Sequence, residues 1–163
     1  MAIAISGPAN AEPCDEVPPD VAKYLTAHRD WAITKARDLN TDDQAAWAEA
    51  RPGKCPGFAA AKLDRSGKST YGLVLIRGSG GSSRQRVVFL STGLSTRAVV
   101  VMASAYHGVP MVIFKADPGR AVAWDQSYGV RLRHESLVVE QMEAWAQQYY
   151  LNGRRLRYIT TSN

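Results

Sequence analysis

The spacing of hydrophobic and polar positions changes once along this chain, and the change divides it in two. Between residues 18 and 50 the apolar positions recur at helical spacing. Val21, Leu25, His28, Ala32, Ala36 and Leu39 fall on one stripe, with Tyr24 and Trp31 beside it. Pro18-Pro19-Asp20 supplies a start, with Asp20 as N-cap, and Asn40 suits the end. Thr41-Asp42-Asp43-Gln44 reads as a capping box that opens a second helix through Ala45, Ala46, Trp47 and Ala48, and Arg51-Pro52-Gly53 stops it. Both helices are amphipathic rather than apolar all round, so each must lie on another element.

From Phe58 onward the pattern becomes short apolar runs rich in β-branched residues, punctuated by Gly, Ser and Asp-Pro. Strands are expected at 58–63, 70–76, 86–91, 98–103, 109–115, 121–124, 136–140, 145–151 and 154–160. Asn152-Gly153, between the last two, is the strongest short hairpin signal in the chain. Residues 140–150 carry helix-forming composition, but the Asn-Gly turn pulls their second half into a strand. Residues 78–83 (Gly-Ser-Gly-Gly-Ser-Ser) read as a flexible hairpin tip. The expected fold is α+β: N-terminal amphipathic helices packed on a curved antiparallel β-sheet of hairpins. It forms one domain over 12–163, with a helical arm at 12–53 and a β-rich body at 54–163. At 163 residues the chain is long enough to bury a core without staples.

The N-terminal residues and the cysteines add a compartment. Ala9-Asn10-Ala11 is an A-x-A cleavage signature, preceded by the helix-breaking Gly7-Pro8. Residues 1–11 are therefore expected to be the residual end of a signal peptide, although a basic n-region is missing and residues 2–5 are too short for an apolar h-region. An exported chain enters an oxidising space, where the two cysteines, Cys14 and Cys55, can pair. The alternative is two buried free thiols in a cytosolic protein. No later segment is apolar for long enough to span a bilayer. The expected location is periplasmic or secreted.

Charge sharpens the division. The formal net charge of +5 hides nine acids against four bases over residues 12–50, and sixteen bases against six acids over residues 51–163. The simplest expectation is an acidic arm lying on a basic body. The alternative is a basic face for an anionic partner. Nucleic acid is the least suited of these partners, because the bases are scattered and the chain is read as exported.

The motifs that would announce an enzyme are missing or incomplete. Gly67-Lys68-Ser69 lacks the upstream glycine of a P-loop, since Lys62 stands in its place. His28-Arg29-Asp30 matches a kinase triplet by letters only, inside a helical stripe. No Gly-x-Ser-x-Gly elbow occurs, and His28, His107 and His134 show no zinc-ligand spacing.

The stretch Cys55-Pro-Gly-Phe-Ala-Ala-Ala-Lys-Leu-Asp-Arg-Ser-Gly-Lys-Ser-Thr-Tyr-Gly-Leu-Val-Leu-Ile76 resembles the single FG-GAP or VCBS-type unit of small exported bacterial proteins. There a strand enters an Asp-x-Asn-Gly-Asp-Gly-like calcium loop and leaves into an aromatic and apolar strand. Tyr149-Tyr150-Leu151-Asn152-Gly153-Arg154 also resembles the end of such proteins. On that resemblance Lys62 takes the first ligand place, Asp64 the third, Ser66 the fifth, Gly67 the turn and Thr70 the ninth. A lysine at the first place repels Ca²⁺ and is free to pair with Asp64, so the loop is expected to be kept and the metal lost. A plain Asp/Ser/Gly hairpin turn is the alternative.

Proteins of this look include periplasmic inhibitors and immunity proteins directed at peptidoglycan hydrolases. The resemblance therefore implies a non-enzymatic protein-binding protein with no metal or cofactor, whose partner is a secreted toxin or cell-wall hydrolase. Arg84, Tyr106 and His107 are the residues expected to make that contact. The alternatives are a cell-envelope module for anionic glycan or lipid, and a hydrolase whose site is assembled from dispersed residues.

Overall fold

Strand β3 (Thr70–Arg77) organises the molecule, because its Leu73-Val74-Leu75 run is buried on both faces. In the computed structural model, which describes residues 13–78, 83–91, 98–105, 110–142 and 144–162, β3 pairs antiparallel with β4 (Arg84–Ser91), and β4 with β5 (Val99–Ala105). The other edge of β3 is shared by the two-residue β1 (Ala32–Ile33) and by β2 (Phe58–Ala61). A second antiparallel sheet runs β11 (Arg155–Ser162), β10 (Trp145–Asn152), β9 (Ser136–Gln141) and β6 (Val112–Ala116). A small ribbon joins β7 (Gly119–Val122) to β8 (Gly129–Leu132).

The two larger sheets face each other over the main core. Val74, Val87 and Phe89 from the first meet Met111, Ile113, Leu137, Val139 and Tyr149 on or beside the second. Gly72 is needed for this approach, because a Cβ there would overlap Ile113 Cδ1. The segment at Pro56-Gly57 bonds to both sheets: the Ile113 N–H donates to Pro56 O at 2.7 Å, and the Val74 N–H to Gly57 O at 2.9 Å. Gly57 again admits no side chain, since a Cβ would stand 2.5 Å from the Thr34 carbonyl oxygen.

The β-rich, antiparallel character matches the sequence, and all nine expected strands are present. The differences have local causes. The chain forms two short helices, α1 (Pro19–Ala27) and α2 (Thr41–Ala50), rather than one long helix followed by a short one. Helix α1 stops at Ala27, where the His28 N–H bonds back to Leu25 O and the His28 ring to Tyr24 O. The chain beyond turns extended, and Ala32 and Ile33 enter the sheet on Ile76 and Leu75. Ala32 and Ala36 are exposed, so their match to the helical stripe was coincidental. Pro18, not Asp20, is the N-cap of α1, and Asn40, not Thr41, caps α2 by accepting from the Asp43 N–H at 2.9 Å. In place of the single curved sheet expected from the sequence, the described residues form three sheets. The last hairpin turns on Gly153-Arg154 rather than Asn152-Gly153, since Asn152 pairs with Arg155. Gly153 has φ 61° and Arg154 is not in the left-handed region, the pattern of a turn needing glycine only at its first central position.

Cys14 and Cys55 are bonded, both buried beside Ile33, Leu73 and Leu75. Their sulfurs lie 3.6 and 3.8 Å from Thr34 O, van der Waals neighbours, since a disulfide has no S–H to donate. The bond is compatible with an exported chain. No helix among the described residues is long and apolar enough to cross a membrane. The signal-peptide end (1–11), most of the Gly/Ser tip (79–82), and Tyr106 and His107 lie outside the described residues.

Candidate functional site

The outer face of the first sheet changes character along its strands. Where α1 covers it, Val21 packs on Leu73, Leu75 and Val88. Beyond the end of α1 the same alternation of β3 and β4 brings Arg77, Arg84 and Arg86 to that face, with Arg77 directly opposite Arg84 in register. Like charges placed opposite each other on a sheet repel, so the arrangement costs stability. Trp31, just before β1, lies beside them.

Arg86 is stacked on this tryptophan, its guanidinium carbon 4.1 Å from the Trp31 ring centre and 5.7 Å from that of Tyr24. Arg77 stands 4.7 Å over Trp31. Stacking on an indole face stabilises a cation by roughly 0.5–2 kcal/mol, depending on desolvation, but supplies no hydrogen-bond acceptor in the guanidinium plane. Arg86 Nε and Nη2 are buried without a hydrogen-bond partner. Arg86 also lines the adjoining cleft. Arg77 donates to Asp30 Oδ2 at 2.7 Å, and this hydrogen bond holds the Asp30 carboxyl below the usual carboxylate range, with the charge of Arg86 helping. Asp30 is the one carboxylate in ion-pair contact with the three arginines among the described residues. The cleft has a volume of about 290 Å³ and is closed on the β5 side by Val100, Ala103 and Ser104. Ala103 is paired with Arg86, and its small side chain leaves the space open.

Arg84, expected to contact a partner, therefore lies in a cationic cleft. Trp31, Arg77 and Arg86 were not singled out, because they come together only through strand register. A usable signal existed: Arg84 and Arg86 alternate onto the face that carries Val88 and Leu90.

The loop that resembles a calcium unit joins β2 to β3. Asp64 Oδ1 accepts from the Ser66 N–H at 2.8 Å, Ser66 Oγ from the Lys68 N–H at 3.2 Å, and Gly67 has φ 73°. These bonds hold Asp64 below the usual range, the Ser66 contacts first. Lys62 is not paired with Asp64; its backbone N–H donates to Glu135 Oε2 at 2.7 Å, and Thr70 is buried in β3. The described residues contain no group of three or more His, Cys, Asp or Glu side chains placed to hold a metal.

Two larger clefts lie elsewhere among the described residues. One, of about 720 Å³, lies between this loop and β8 and is rimmed by Arg65, Arg131, Arg133 and His134. Among the described residues His134 has no hydrogen-bonded carboxylate; Glu135 instead accepts from Lys115 at 2.9 Å, which lowers its pKa. The other, of about 730 Å³, contains Arg51 stacked 3.4 Å from the Phe114 ring centre and 5.1 Å from that of Trp47.

Compared with protein-family models, curated proteins and solved structures, the chain matches none. Its function is therefore argued from the site.

Proposed function

We propose that this chain is an exported, non-enzymatic protein-binding protein, and that the arginine cleft grips a carboxylate of its partner. The reading that goes with the calcium-loop resemblance is an inhibitor or immunity protein directed at a peptidoglycan hydrolase or similar toxin. The observation that supports it is Arg86: a guanidinium with two nitrogens buried and unpartnered, lining a cleft with two more arginines. An unpaired, partly desolvated cation of this kind gains most when an anion arrives. Hydrolases of cell walls commonly work with carboxylates, and a charge-assisted hydrogen bond from Arg86 or Arg84 to such a group is stronger than a neutral one.

The test is inhibition. Oxidised protein is titrated into clearing assays on purified cell-wall sacculi, each run with one muramidase, amidase or endopeptidase. Stoichiometric inhibition of one enzyme, lost in Arg84→Glu, supports the proposal; no inhibition across the panel contradicts it. One observation favours a second reading. Arg65, Arg131 and Arg133 rim an open groove with room for an anionic glycan or lipid headgroup. Salt-sensitive retention on bare sacculi or anionic vesicles, lost in Arg131→Glu/Arg133→Glu and kept in Arg84→Glu, would favour it.

A further inference from the structure

We infer that the partner enters as an extended acidic segment that adds a strand to the free edge of β5, laying its carboxylates over the arginine cleft. The inference rests on the protein-binding reading above and specifies how that partner is held. Three features carry it.

First, β5 ends its sheet: it pairs with β4 and with no other strand among the described residues. Its sequence, Val-Val-Val-Met-Ala-Ser-Ala, has neither a charge nor a proline, two of the usual guards against pairing at an edge. Val99 and Val100 are 47% and 51% exposed, so the strand offers apolar surface as well as an outer edge that no other strand among the described residues pairs with. Second, the register irregularity between β4 and β5 falls between Val87 and Val88, leaving Met102 to Ala105 regularly paired with Val87 to Arg84. The regular half of the edge is the half that adjoins the arginines. Third, the geometry lets charges meet. A strand added to β5 lies two strand spacings, roughly 9.6 Å, from β4. The residue between on the cleft face is Ala103, over which an arginine from β4 and a glutamate from the added strand can reach each other.

Charge decides the occupant. A second copy of this chain pairing β5 to β5 would bring a strand without acids and would place two arginine clusters on one continuous face, where they repel. An acidic segment supplies the missing counter-charge, while its backbone supplies the missing ladder, the division of labour of strand addition.

The experiment uses the full oxidised chain and a labelled, end-capped peptide, Thr-Glu-Val-Glu-Val-Glu-Val-Thr. Binding is followed by anisotropy, and backbone exchange of β5 by hydrogen–deuterium exchange. The expected result is saturable binding, at least tenfold weaker for the Gln-for-Glu peptide and for Arg84→Glu, with exchange over 102–105 slowed at least tenfold in the complex. Glu-dependent binding without protection of β5 overturns strand addition and leaves the arginine-cleft reading standing. Absence of Glu-dependent binding overturns both. Protection of β5 without peptide, together with a dimer in sedimentation, replaces the acidic segment by a second copy.

Discussion

Arg51 and Arg86 each lie over two aromatic rings, and they differ in what surrounds the charge. Arg51 lies against Phe114 and Trp47 with Glu140 nearby. Burial pulls the Arg51 pKa down and pushes the Glu140 pKa up, each partly offset by the other's charge. Arg86 lies against Trp31 and Tyr24 with two nitrogens buried and unpartnered, and its nearest charged neighbours include Arg84 and Arg77. Stacking alone therefore does not mark a site. The first arrangement is locally balanced and belongs to the packing of α2 on β6. The second leaves two guanidinium nitrogens without an acceptor, and is the one the proposal assigns to a partner's carboxylate.

Breaking the two platforms gives the largest contrast. Trp47 is buried and its indole N–H donates to Lys54 O at 2.9 Å. Trp47→Ala is expected to cost about 3–5 kcal/mol in denaturant unfolding, the range for a buried tryptophan. Trp31 is half-buried, and Trp31→Ala is expected to cost about 1–2 kcal/mol, with its main effect on binding. Equal losses would erase the distinction. Both tryptophans lie inside the loop closed by Cys14–Cys55, cysteines 41 positions apart in the sequence. The entropy model puts removal of that bond at about 4 kcal/mol, measured on the Cys14→Ser/Cys55→Ser protein.

Smaller changes sharpen the comparison. Arg86→Met keeps a side chain on Trp31 and removes the unpartnered nitrogens. It is expected to stabilise the protein by about 1 kcal/mol in thermal unfolding while abolishing anion binding. Arg51→Met, which leaves Glu140 without its counter-charge, is expected to destabilise. Asp30→Asn removes the carboxylate that occupies Arg77 and is expected to tighten acidic-peptide binding about threefold, read by anisotropy. The smallest effect is a pH slope. Glu140 binds its proton more tightly folded than unfolded, so its stability contribution is present below the ordinary glutamate pKa of about 4.3 and is lost as pH rises through the raised folded value. Glu140→Gln should flatten melting temperature against pH above the ordinary glutamate pKa of about 4.3, and an unchanged slope would show that Glu140 does not titrate as described.

The strands were legible where β-branched runs stood between glycine, proline and asparagine, and the disulfide because Cys14 and Cys55 had only each other. Strand β1 was hidden by a chance helical spacing through His28, Ala32 and Ala36, and its two residues join the sheet only because β3 offers an edge. Strand β8 (Gly-Val-Arg-Leu) is too short and too polar to stand out, and is held by pairing with β7. The candidate site was legible in one residue of four. Arg84 has the chemistry of a contact residue, but Trp31, Arg77 and Arg86 are brought to it by register between strands distant in sequence, which no local pattern records.

The central claim is that Arg86 awaits a carboxylate and Arg51 does not. It is tested most directly by guanidinium ¹⁵N–¹H spectra of the assigned protein during titration with the Thr-Glu-Val-Glu-Val-Glu-Val-Thr peptide. The account predicts that the Arg84 and Arg86 side-chain signals move together and saturate, with Arg51 unmoved. Arg86 unmoved at saturation, or Arg51 moving as far as Arg86, would contradict it.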